Sequence, residues 1–154
     1  MLVAAGGRII AAGGRTSTGL EGTRVVEAYD PAEGVWTDVA PMPPPTGPGL
    51  GGAYSGHNGV VAQGCVHVFG GEHSGGVFPA HLVYDVWRDA WARLPDMPVP
   101  VHGVTGMWID SAGWIHVRGS GRGTMPCVAA LHNQRRRGAS LRDSASSHAA
   151  VSMP

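Results

Sequence analysis

The 154-residue sequence contains no lysine. That absence removes the phosphate-gripping lysine of a P-loop and the amine needed for a Schiff base. Its two cysteines, Cys65 and Cys127, are too few for the disulfide framework of a small secreted domain and read as ordinary reduced thiols. Charged residues make up only 14% of the chain, and no aromatic residue follows Trp114. No apolar run approaches the roughly 20 residues that cross a bilayer. The N-terminal stretch "MLVAAGGRII" has neither a basic leader nor a sustained apolar stretch, so no membrane or secretory address is legible and the cytoplasm is the default assignment. Eight histidines are present, but neither His-x-His nor His-Glu-x-x-His occurs, so no metal and no other cofactor is expected.

The formal net charge of zero conceals an uneven distribution. From Met1 to Val117 five arginines oppose ten acids, a balance of −5; from Arg118 to Pro154 six arginines oppose Asp143 alone, a balance of +5. The change falls where the aromatics stop, and the chain ends in the Ser/Ala-rich "GASLRDSASSHAAVSMP". Residues 122–154 are therefore expected to form a low-complexity, basic, disordered tail. The "RRR" of Arg135 to Arg137 has no interleaved aromatics on which bases could stack, so no nucleic-acid partner is expected.

What the sequence has in excess is glycine, at 25 residues, and proline, at 12. Glycine supplies positive φ and proline presets φ in turns, so this usage suits many short strands joined tightly and argues against long helices. An internal repeat organises them. Tyr29, Trp36 and Met42 return as Tyr84, Trp91 and Met97 at a constant spacing of 55 residues, and Gly13-Gly14 returns as Gly70-Gly71 at 57. A third copy, "WIHVRGSG", carries Gly119 but lacks a following "YD…W".

Period and punctuation place four strands in each complete unit: Leu2 to Ala5, Arg8 to Ala12, Arg24 to Tyr29 and Val35 to Val39, then a strand ending near Ala62, Cys65 to Phe69, "HLVYD" and "AWARL". Pro95 and Pro98 stop the last of these, because proline cannot donate to a ladder. The third unit supplies two strands, Gly103 to Ile109 and Trp114 to Val117. Four antiparallel strands in a meander make one propeller blade. The large aromatics Tyr29, Trp36, Tyr84 and Trp91 are expected to pack between neighbouring blades.

With these elements in place the chain resembles a run of Kelch repeats: Gly-Gly after the second strand, Tyr-Asp ending the third, Trp in the fourth, and a Pro-x-Met-Pro-like exit at Pro41 to Pro43 and Asp96 to Pro98. The resemblance covers about Leu2 to Gly121 and implies an all-β, partial and open Kelch-type β-propeller, with blade one at 2–43, blade two at 50–98 and a half blade at 101–121. Related propellers bind partner proteins on the rim formed by the loops after Gly-Gly and between blades. Carried over, that rim comprises Arg15, Thr16, Ser17, His73, Ser74 and His102. The family often has an arginine beside this histidine, where Val101 stands here.

The resemblance implies a non-catalytic module for protein–protein interaction. The alternative it leaves is a piece of a Kelch-built, carbohydrate-acting enzyme of the galactose-oxidase-like or sialic-acid-epimerase-like kind, although no nucleophile elbow or triad motif is present. "GGRTSTGLEG" and "GGEHSGG" open loops rather than helices, so they make no dinucleotide cradle. Propellers close with about four to eight blades, and two and a half should expose apolar faces. Three origins fit: a fragment of a longer propeller, a partial propeller that self-associates or finds its missing blades in a partner, and a truncated reading frame, which the charge switch near Arg118 favours.

Overall fold

The computed structural model describes residues 1–15, 22–46, 53–73, 76–121, 123–132 and 149–150. These residues form β-structure without a helix. The first sheet is the meander β1 (Leu2–Ala5), β2 (Arg8–Arg15), β3 (Gly22–Asp30) and β4 (Val35–Val39), hydrogen-bonded in that order. The second runs β5 (Asn58–Ala62), β6 (Cys65–Phe69), β9 (His81–Asp85) and β10 (Ala90–Leu94). Between β6 and β9 the chain makes a small hairpin, β7 (Glu72–His73) with β8 (Gly76–Val77), where the sequence suggests only a polar loop.

The third sheet corrects the sequence reading. Beyond β11 (His102–Ile109) and β12 (Trp114–Gly121), β13 (Gly123–His132) pairs along nearly all of β12, and β14 (Ala149–Ala150) pairs with β13. Four strands stand where two are expected. Pro126 and the lack of aromatics hide β13 from a propensity reading, and the free edge of β12 supplies the ladder that propensity does not.

The first strands of the sheets, β1, β5 and β11, lie side by side with β5 in the middle, so the sheets radiate as adjacent blades of an open propeller. Each strand alternates, giving every sheet two faces. Ala5, Ile10, Ala12, Val26 and Ala28 of sheet one pack against Val66, Val68, Leu82 and Tyr84 of sheet two in one core. A second core joins Ala62 and Phe69 of sheet two to Val104, Ile115 and Val117 of sheet three.

The repeated Met and Trp each have a physical task. Met42 and Met97 are buried, and their backbone N–H groups donate to the carbonyls of Arg24 and Pro79, at matching points of the two repeats. The chain leaving each blade is thereby folded back over its own core. Trp91 lies against Tyr84 at a 4.8 Å centroid separation and donates from Nε1 to the Ala40 carbonyl at 2.7 Å, tying sheet two to sheet one. Asp89 accepts from both Tyr84 Oη and the Ala40 N–H, each at 2.7 Å. The homologous pair in sheet one behaves differently. Tyr29 and Trp36 keep their mutual contact at 5.2 Å, but Trp36 is 48% exposed. Within the described chain Trp36 does not pack between blades as expected, because no described sheet lies on that side.

Candidate functional site

The rim is built where the second strand of each blade ends. Gly14 and Gly71 donate backbone N–H groups to the carbonyls of Tyr54 and Val101, the residues that lead into the next blade. Gly70 shows why glycine is required: its φ is +67°, and an added Cβ would run into the Val101 carbonyl oxygen. The close approach brings the residue after each Gly-Gly beside the start of the following sheet. Those residues are Arg15 and Glu72.

Glu72 is held from its backbone outward. Ser55, fully buried, exchanges two backbone hydrogen bonds with it and donates from Oγ to the Glu72 carbonyl at 2.9 Å. The Glu72 carboxylate then joins two residues from other sheets. Its Oε1 accepts from Arg15 Nη2 at 2.5 Å, and its Oε2 lies 3.0 Å from His102 Nδ1. Arg15 ends β2 of sheet one, Glu72 opens β7 of the hairpin inserted between β6 and β9, and His102 opens β11 of sheet three, so side chains from three successive repeats meet at this carboxylate. The Arg15 side chain remains 48% exposed, that of His102 29% and that of Glu72 20%. The guanidinium keeps further N–H donors in a planar fork that fits a carboxylate or a phosphate.

Of the residues predicted for this rim, Arg15 and His102 are brought together. His73 adjoins Glu72 on β7 and is opposite Gly76 in the hairpin. Thr16, Ser17 and Ser74 lie outside the described residues. Glu72 is the member that the sequence reading missed. Its signal is positional: Arg15 and Glu72 both directly follow a Gly-Gly pair, one repeat apart, with opposite charge. Ser55 and His102 are similarly matched, one holding the Glu72 backbone and the other its side chain.

Histidines form a second, buried group. His67 Nδ1 and His81 Nε2 are 3.0 Å apart between sheets two and three, and His81 stacks on Phe69 at 4.2 Å. A neutral pair shares one proton across this gap, and burial pushes the His67 pKa down to about 4 and that of His81 well below its usual value. His57 donates from Nε2 to the Ala12 carbonyl at 3.0 Å, while its buried Nδ1 has no partner. Burial, reinforced by the N-terminal ammonium, lowers its pKa to about 4. His116, one repeat beyond His67, lies flat on Trp108 and bonds Asp110 at 2.9 Å. Among the described residues no three His, Cys, Asp or Glu side chains are grouped to hold a metal, and no helix is long and apolar enough to cross a membrane.

Residues 2–43 match the family model of the Kelch motif. No curated protein matches the chain in sequence. Among solved structures the chain is similar to one titled "Structure of YjhT", at 15% identity and a TM-score of 0.68, over 88% of this chain and 48% of that one. At this identity the likeness is one of fold. The chain thus spans about half the length of the structure it resembles and is an open, Kelch-type β-propeller carrying a Kelch motif.

Proposed function

We propose that this Kelch-type module binds another protein through its rim without acting on it chemically, and that Arg15, Glu72 and His102 form the centre of that contact, flanked by His73. The observation that carries this reading is the meeting of side chains from three successive repeats at the Glu72 carboxylate. Binding surfaces made of loops on a rigid β-scaffold gain specificity from such convergence, because a ligand touching the cluster senses the relative placement of all three blades. Glu72 fixes both partners in position, and the remaining Arg15 donors suit a carboxylate on a partner peptide. The module's working frame is a ring about twice its length, in keeping with its 48% coverage of a similar fold.

Affinity capture with the immobilised chain, compared with Arg15→Ala and His102→Ala, tests the rim. Capture of a protein that both substitutions weaken at least tenfold, and that Asp38→Asn on sheet one leaves unchanged, is the expected result. A partner indifferent to both rim substitutions would place binding elsewhere on the molecule.

A further inference from the structure

The contact between sheets one and two and that between sheets two and three are the same contact used twice. Call the face of each sheet that carries Ile10, His67 or His116 its front, and the opposite face, which carries Tyr29 or Tyr84, its back. The front of sheet one is packed on the back of sheet two, and the front of sheet two on sheet three. Two faces therefore lack a described neighbour: the back of sheet one and the front of sheet three.

Both faces carry large apolar side chains in the open. On the back of sheet one, Leu2, Val25 and Trp36 are 63%, 52% and 48% exposed, and Tyr29 is half-buried, whereas its counterpart Tyr84 is 1% exposed. On the front of sheet three, Trp108 is 49% exposed, whereas Val3 and Val60, at the equivalent first-strand position, pack into the two cores. The two faces also differ in charge at matched positions. Arg118 is exposed on the front of sheet three, where the equivalent residues Ala12 and Phe69 are buried. Glu27, opposite Asp38, is exposed on the back of sheet one, where the equivalent Leu82 is buried. Ala12 and Leu82 lie in the one core that the front-on-back contact of sheets one and two buries, so a further contact of this kind would place Arg118 and Glu27 on facing sides of one junction.

We propose that the second half of the ring is a second copy of this chain, each copy's third sheet docking its front on the back of the other's first sheet. Front-on-back contacts are head-to-tail, and such contacts either close or run on into filaments. A unit equal to half of a ring closes with two copies, related by a twofold axis and making two identical junctions. The TM-score of 0.68 over 48% of a longer chain shows three sheets already following the curvature of a structure about twice as long. Opposite charges across each junction set the register and oppose front-on-front and back-on-back pairing. The proposal rests on the half-ring reading and is independent of the rim contact.

Sedimentation equilibrium or light scattering of the full chain should give twice 15.9 kDa at micromolar concentration. Glu27→Arg and Arg118→Glu, both at exposed positions, should each weaken the dimer at least tenfold while leaving the far-UV circular dichroism unchanged, and the double variant should restore it. A folded monomer would make Glu27 and Arg118 end caps and overturn the proposal, as would an open polymer. A dimer that responds to only one of the two reversals, or that the double variant fails to rescue, would overturn the front-on-back arrangement. A monomer that still captures its partner through Arg15 would sink the dimer alone and leave the rim reading in place.

Discussion

Mild acid should loosen this fold well before its carboxylates are protonated. His57 and His67 have pKa values of about 4 in the folded chain against an unfolded value near 6.5, both lowered chiefly by burial, and His81 is lowered well below that unfolded value by the same cause. Above pH 6.5 folded and unfolded chains bind the same number of protons at these sites. As the pH falls from 6.5 towards 4, the unfolded chain takes up protons that the folded chain refuses, so stability decreases through that window. A shift of about 2.5 units corresponds to about 3 kcal/mol for each of His57 and His67. Their combined effect of roughly 7 kcal/mol is comparable with the total stability of ordinary domains, about 5–15 kcal/mol. While all three titrate, the slope should reach about 4 kcal/mol per pH unit. Urea unfolding, followed by tryptophan fluorescence at steps between pH 7.5 and 4.5 and at one protein concentration, measures it. Replacing His67 and His81 together by phenylalanine removes two of the three groups without leaving one ring nitrogen orphaned, and should cut the slope to about a third. A slope unchanged in that double variant, or stability that is flat between pH 6.5 and 4.5, would refute the reasoning.

Gly70→Ala should cost at least about 2 kcal/mol, because it combines positive φ with a collision at the Val101 carbonyl, and urea titration with a midpoint like that of the parent would show that the inter-blade approach is not fixed. Trp91→Phe should cost about 1–2 kcal/mol through loss of the bond to Ala40, whereas Trp36→Phe, which loses no such bond, should stay within about 0.5 kcal/mol when a single copy is measured below the concentration of any self-association, so the same residue of the repeat has two values depending on what covers it. Arg15→Ala, which breaks an exposed ion pair, should change stability by about 0.5 kcal/mol or less, so that any loss of partner capture is not a loss of fold.

Much of the architecture could be read from residues whose chemistry is local. The bounds of β4, β6, β9 and β10 agree with the sequence reading, because Gly-Gly, Tyr-Asp and the prolines stop or turn a chain wherever they occur. β2 runs on to Arg15 through a bulge between Ala12 and Gly14, which a simple alternation of residues does not register. Features that depend on a neighbour were not legible. Trp36 and Trp91 are indistinguishable in sequence, and only the presence of sheet one against sheet two separates an exposed ring from one that ties two blades together. Glu72 escaped for a related reason: a repeat directs attention to positions where residues recur, and the rim is held together where they reverse in charge.

The methionines that close each blade also make the fold a chemical recorder of its own opening. Met42 and Met97 are both buried and so shielded from an oxidant in solution while the blades stay joined. Conversion to the sulfoxide would turn a flexible apolar side chain into a polar one. A blade that opened long enough to be oxidised could not reseal as before. Peroxide uptake at Met42 against Met97, read by mass spectrometry, would therefore rank the lifetimes of the two blades in one intact sample, with no label and no substitution.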